Sequence, residues 1–296
     1  MKELKFSYFL GIDQTGAATH QGKKAKPLKC CLVNLDRNPW EVHTQIDHKP
    51  LSLASLDRAN LQWLLKPFNI AWPTSKLAIL ADCVFGLPHK VVEEITTPNT
   101  LNFPWELFQR AQLHTLGDSL YGRAVSESFF ANLLPKSSAI PKRFCEQLSG
   151  SNSVFVTRPY QKNIQTGTYR IWRDLACSDS KPWLNIWPFN SKDNFQPDFP
   201  WIFEGYPSLL WRELFDIPTR NSSLLLKKLK APSFRRLFCF DSYRFLNTDP
   251  DLCDAVVLAL AGAILQKEKA LFTPFPGFWS SPHLNSEGWI CGLKPT

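Results

Sequence analysis

The chain is predicted to be an α/β protein. Short apolar runs of strand length recur along it, acidic residues stand at their carboxyl ends, and stretches of helical periodicity separate them. Phe9-Leu10-Gly11-Ile12 ends at Asp13, Leu77-Ala78-Ile79-Leu80-Ala81 at Asp82, and Trp201-Ile202-Phe203 at Glu204. Asp251 and Asp254 open the run Ala255-Val256-Val257-Leu258-Ala259-Leu260-Ala261. Ligands of open α/β sheets gather outside the carboxyl ends of the strands. Carboxylates sharing one partly dry place repel each other unless protons, bases or cations offset them. The pattern therefore points to a divalent-metal site.

The elements follow in order. Residues 6–13 and 27–35 read as the first two strands, with turn material at Thr15-Gly16 between them. Residues 40–47 alternate, with Val42, Thr44 and Ile46 on one face, which suits a half-exposed antiparallel strand. Ser55 is the expected N-cap of a helix carrying Leu56, Ala59, Trp63 and Leu64 on one side and stopping before Pro67. Residues 76–82 form the most apolar strand of this part, closed by Phe85-Gly86-Leu87-Pro88. From 89 to 198 the pattern loosens, with helices near 105–110 and over 118–134 and strand-like pieces at 154–157 and 168–172. A structureless loop of that length is implausible, so 89–198 reads as a subdomain inserted into a single domain of 1–296.

Beyond the insertion, a strand ends at Glu204, Gly205-Tyr206-Pro207 turns, and Ser208 is placed to cap a helix through Phe215. Residues 237–240 suggest a further short strand. Asp249 as cap and Pro250 in the first helical position start the last long helix. Residues 288–293 are expected as a small edge strand.

Composition narrows the class. The 296 residues carry a net charge of +8 and a pI of about 9.1. Lysines 23, 24, 26 and 29 and the group Lys227, Lys228, Lys230, Arg235 and Arg236 favour a polyanionic partner. No apolar stretch approaches the ~18–20 residues of a membrane span. The N-terminal apolar segment breaks at Asp13, too early for a signal peptide, so a cytoplasmic setting is expected. Eight cysteines without a CxxC pair read as buried reduced thiols, and neither they nor the six scattered histidines show zinc-ligand spacing.

Each acid alone has a local explanation. Asp13 could bond the turn that follows it, Asp82 could cap the loop into Gly86, and Glu204 could be solvated or pair with Arg212. Asp251 lies in a first helical turn, where the dipole favours an acid. Asp254 lies a turn deeper, on the same face at i+3, in a helix apolar all round. A single shared site accounts for them together.

These segments resemble the predicted nucleases of domain-of-unknown-function family 429, placed in the ribonuclease H-like superfamily. The likeness rests on Gly11-Ile12-Asp13, on Asp82 with Phe85-Gly86-Leu87-Pro88, on Phe203-Glu204-Gly205-Tyr206-Pro207, on Asp251-Leu252-Cys253-Asp254-Ala255 and on Glu287-Gly288-Trp289-Ile290. It spans nearly the whole chain, though 89–198 contributes little. The Asp251–Asp254 segment also resembles the last catalytic helix of Holliday-junction resolvases. The resemblance implies a mixed five-stranded sheet flanked by helices, opening with an antiparallel meander and holding the insertion between its fourth and fifth strands. It implies metal carboxylates at Asp13, Asp82, Glu204 and Asp254, with Asp251 as a fifth candidate. Asp82 and Glu204 both remain candidates for the second key position. Cys83-Val84 departs from the pattern, where a proline is expected.

The chemistry that would follow is phosphodiester hydrolysis on a nucleic acid, with two Mg²⁺ or Mn²⁺ ions activating water and stabilising the leaving oxygen. Arg123, Lys162 and Arg170, with Tyr169 and Trp172, are the expected grips for phosphates and bases. Two alternatives stand beside it: a non-catalytic nucleic-acid-binding or scaffold protein, and an ATP-binding protein of the actin and sugar-kinase type. The second lacks a glycine after Asp82, and the stretch from Gly16 to Gly22-Lys23 misses P-loop spacing. No G-x-S-x-G supports a serine hydrolase.

Overall fold

The computed structural model describes residues 4–14, 25–46, 48–95, 104–134, 142–151, 153, 155, 162–177, 182–190, 195–244, 249–272 and 286–293, without the side chains of 162 and 163. The turn at Thr15-Gly16, Lys23 and Lys24, and residues 154, 156 and 157 lie outside this set.

Strand β1 (Tyr8–Asp13) pairs antiparallel with β2 (Leu28–Asn34), and β3 (Trp40–His43) returns antiparallel along β2, giving the expected meander. Strands β4 (Gln45–Ile46) and β5 (Lys49–Pro50) form a separate ribbon, and β6 (Ser52–Leu53) pairs with the start of β2. Helix α1 (Arg58–Leu65) leads to β7 (Leu77–Asp82), parallel to β1. Helices α2 (His89–Ile95), α3 (Trp105–Leu113), α4 (Arg123–Leu133), α5 (Phe144–Ser149) and α6 (Lys162–Ala176) precede β8 (Asn185–Ile186) and β9 (Trp201–Gly205). Helices α7 (Pro207–Glu213), α8 (Ser222–Leu229) and α9 (Pro232–Leu237) lead to β10 (Phe238–Phe240), and α10 (Pro250–Lys267) follows.

The result is a mixed α/β architecture in which helices flank a mostly parallel central sheet. The order is β10-β3-β2-β1-β7-β9-β8, with β6 attached to β2. The sheet has eight strands rather than five, because β6, β8 and β10 add two or three residues each. Of these, β10 is the short strand expected at 237–240, whereas the two-residue β6 and β8 carry no periodicity of their own. The expected strand at 288–293 reduces to a bridge between Glu204 and Ile290.

Local expectations fail where tertiary contacts override a short-range signal. Asp57, not Ser55, caps α1 by accepting from the Asn60 amide, and the Ser55 hydroxyl donates to Asp57 instead. On that helix Leu61, Leu64 and Leu65 are buried while Trp63 is 65% exposed. Helix α4 begins at Arg123 rather than 118, behind a Leu116–Ser119 bridge. Residues 168–172 are helical within α6, because Ile171, Trp172 and Leu175 pack at helical spacing into the core. Ser208 makes no cap; α7 starts at Pro207 behind Tyr206. Asp249 does cap α10, accepting from the Leu252 amide at 3.0 Å. All eight cysteines are free; Cys177 and Cys239 are exposed and the other six buried.

Strand register assigns the faces. Partners in register share a face, and successive residues alternate. Gly11 pairs with Leu80, which pairs with Phe203; Ile12 pairs with Ala81, which pairs with Glu204. Phe9, Ala78, Leu80, Trp201 and Phe203 form one core with α10. Leu10, Ile12, Ile79 and Ile202 form the other with Phe108, Phe130 and Trp172 from α3, α4 and α6. The helices of 89–198 therefore share an apolar core with the sheet.

Helix α10 lies close against β1 because Gly11 has no side chain. A Cβ there would stand 2.0 Å from the Ala255 carbonyl oxygen and 2.6 Å from the Ala259 amide nitrogen. Gly205 repeats the device on β9, where a Cβ would meet the Leu258 side chain at 2.3 Å. Both obstacles at Gly11 are backbone, which cannot rotate away. Gly11→Ala is expected to lower unfolding stability by about 2–4 kcal/mol in urea titration, above ordinary overpacking. A loss below about 0.5 kcal/mol would show that α10 has room to move.

Candidate functional site

Asp13 and Asp82 end neighbouring parallel strands at the same level, on the face that meets α10. Their carboxyls hydrogen-bond to each other. Asp13 is 3% exposed, while Asp82 opens partly to a cleft lined by Asp82, Cys83, Arg143, Glu204 and Tyr206 among others. Burial, then the neighbouring charges of Asp82 and Asp251, raise the Asp13 carboxyl well above its ordinary range. Burial likewise pushes Asp82 up to about 6, against the opposing effects of its bond to Asp13 and of Arg220. The pair thus shares a proton, with Asp13 the donor and Asp82 the acceptor.

Helix α10 brings its acids to this pair over Gly11. Asp251 acts on both carboxyls through its charge. Asp254, 3% exposed, accepts from Trp211 Nε1 at 2.7 Å and Arg220 Nε at 3.1 Å, and Arg220 Nη2 closes a second contact to its other oxygen. Arg220 comes from the loop between α7 and α8, and its side chain is 45% exposed. It is the one guanidinium whose charge reaches Asp13, Asp82 and Asp254 together among the described residues.

Glu204 does not join them. It is in register with Ala81 rather than Asp82, so alternation turns it to the opposite face. Gly205 takes the position beside Asp82. Glu204 is instead gripped by Arg143, with Nη2 to Oε1 at 2.6 Å and Nη1 to Oε2 at 2.8 Å, and it accepts from the Phe85 amide at 3.3 Å. Arg143, 1% exposed, also donates Nε to Glu146 at 3.0 Å and Nη1 to the Glu287 carbonyl at 2.9 Å. The Glu287 carboxylate accepts from the His89 amide at 3.0 Å and from the Phe144 amide. Arg212, the partner considered for Glu204, pairs with Glu213.

The expected phosphate grips also move. Arg170 is 2% exposed, donates to the Ala54 carbonyl at 2.8 Å and sits 3.7 Å from Asp174, so it belongs to the core. Tyr169 and Trp172 are likewise buried. Arg123 starts α4 on the surface, paired with Glu127 at 2.9 Å. Lys162 starts α6, and its side chain is outside the described residues.

Among the described residues, no three His, Cys, Asp or Glu side chains form a group able to hold a metal ion. What the pair does fit is one hard cation that keeps most of its waters, as Mg²⁺ does when bound through one or two carboxylates. Two buried carboxyls that must share a proton are the donor set such an ion replaces the proton in. The decisive residues absent from the sequence reading are Arg143 and Arg220. Each is a single arginine in a connecting segment, and no spacing rule links it to an acid 61 or 34 positions away.

Two expectations follow. Both carboxyls hold protons more tightly folded than unfolded: the contribution of Asp82 is complete below the ordinary value of 3.8 and is lost as pH rises through about 6, and that of Asp13 is lost as pH rises through its own elevated value. Without divalent cations, thermal scans should show stability falling over that window, and Asp82→Asn should flatten the fall and raise stability at neutral pH by about 1–3 kcal/mol. Unchanged pH dependence in the variant would dismiss the shared proton. Arg143→Met is expected to cost about 3–5 kcal/mol by leaving Glu204 buried and unpaired, and adding Glu204→Gln should return a large part of it.

No family model, curated protein or solved structure matches the chain.

Proposed function

We propose that the chain hydrolyses phosphodiester bonds of a nucleic acid with a divalent cation held at Asp13 and Asp82, in a ribonuclease H-like sheet. The observation that carries this reading is the contact of the Asp13 and Asp82 carboxyls at the ends of adjacent parallel strands, both raised chiefly by burial, with the charge of Asp251 adding to each. The order β3-β2-β1-β7-β9, with its antiparallel meander and parallel extension, supports the fold assignment.

A bound Mg²⁺ or Mn²⁺ would supply Lewis-acid stabilisation of the phosphoryl charge and a more acidic water. The chain's own groups do the rest. Asp13 gives up the shared proton, and both carboxylates then present hard oxygens on the α10 face. Asp251 adds negative charge beside them and raises cation affinity. Arg220, held by both oxygens of Asp254, one of which also accepts from Trp211, stands where a guanidinium can neutralise a phosphate oxygen. Glu204 organises the cleft wall through Arg143 and is not a ligand in this reading, and the proposal is for one ion.

A second reading, a non-catalytic nucleic-acid-binding protein, is favoured by one observation: two of the four acids expected to bind metal, Glu204 and Asp254, carry their own arginines. Incubation with Mg²⁺ or Mn²⁺ and single-stranded, duplex, branched and hybrid nucleic acids separates the two. Cleavage is expected, reduced at least about 100-fold in Asp13→Asn and Asp82→Asn and unaltered in Arg123→Ala. Equal background in wild type and Asp13→Asn would establish the second reading.

A further inference from the structure

We propose that Arg220 and the exposed faces of α8 and α9 form a track for the sugar-phosphate backbone of a nucleic acid, ending at the Asp13–Asp82 pair. The proposal rests on the phosphodiester reading of that pair and adds which surface delivers the substrate.

Residues 212–244 hold eight Lys and Arg against three acids, a net +5 in a chain of net +8. The three acids are engaged elsewhere. Glu213 pairs with Arg212 at 2.8 Å and Asp216 with Lys228 at 3.6 Å, while Asp241 accepts from the Thr44 hydroxyl at 2.7 Å and from the Thr44 and Gln45 amides. Lys227, Lys230, Arg235 and Arg236 are exposed and have no carboxylate partner among the described residues.

Their placement is ordered by the helix. Leu225 and Leu229 turn into the core, which leaves Ser223, Lys227 and Lys230, spaced i, i+4 and i+7, along the outer face. From the cap at Asn221 to Lys230 the helix rises roughly 13 Å, about four base-pair steps along the axis of a duplex. The start of α8 is fixed at the start of α10, where Ser222 Oγ lies 3.8 Å from Cys253 Sγ, next to Asp254. Arg220 precedes that cap directly and already contacts Asp254. The row of cations therefore begins at the carboxylates and runs outward.

Such a row answers a physical difficulty of the site. Acids gathered in one place repel an approaching polyanion, and a neighbouring basic surface offsets this by neutralising phosphates and releasing their counterions. An anionic membrane is the less suited partner. In this segment Leu224 is the sole large apolar side chain that stands prominently exposed, at 45%, whereas interfacial helices bury a broad apolar face.

The test is binding with EDTA present, so that cleavage plays no part. Fluorescence anisotropy of labelled single-stranded and duplex oligonucleotides compares wild type, the reversal Lys227→Glu/Lys230→Glu/Arg236→Glu, and a control reversal of the same charge, Lys49→Glu/Lys66→Glu/Lys90→Glu, after circular dichroism shows all three folded. The track variant is expected to bind at least about 10-fold more weakly and to flatten the log K against log salt slope by about 2–3, while the control changes binding less than about 3-fold. Equal losses in the two reversals overturn the proposal. So does a wild type that binds no oligonucleotide at about 50 mM salt, or one that binds only phosphatidylserine vesicles. Track-dependent binding by a wild type that never cleaves with Mn²⁺ would leave the track standing and remove the chemistry proposed for the pair.

Discussion

Buried negative charge at the ends of adjacent strands has to be compensated, and the compensation differs from one acid to the next. Glu204 is met by a bidentate, fully buried arginine; Asp254 by a half-exposed arginine and an indole; Asp13 and Asp82 by a proton between them. A guanidinium is a permanent charge with fixed fork geometry, suited to holding a carboxylate in place. A shared proton is exchangeable. The proposed function therefore rests on the pair whose compensation a cation can replace.

The two arginines also do different mechanical work. The Arg143 guanidinium joins Glu204 of β9, Glu146 of α5 and the Glu287 carbonyl, and Glu204 in turn accepts from the Phe85 amide in the loop after β7. Arg143 builds the wall of the cleft. Arg220 has a partner on one side and solvent on the other. The contrast in exposure, 1% against 45% for the two side chains, separates a fully enclosed guanidinium from one open to solvent.

The sheet was legible where strands are long and apolar. β1, β2, β7, β9 and the capped start of α10 declare themselves by run length, turn residues and a Ser/Asp/Pro signature at helix starts, even though Ser55 and Ser208 each lost the cap to a neighbour. The two-residue strands and the helical state of 168–172 were not legible, since only packing against α3, α4 and the sheet distinguishes them. Cys239 shows the same limit: an apolar triplet at a sheet edge leaves its middle residue facing out.

Sequence by itself determined that Asp13 and Asp82 stand at strand ends and that Asp251 and Asp254 share one side of a buried helix, because apolar runs and helical spacing are local properties. Tertiary structure alone decided which acids meet. Register set Gly205, not Glu204, beside Asp82, and one position of shift in a pleated strand reverses a side chain to the other face of the sheet. The close seat of α10 on Gly11 and the arrival of Arg143 and Arg220 are likewise long-range events, fixed by how the layers pack rather than by any neighbouring residue.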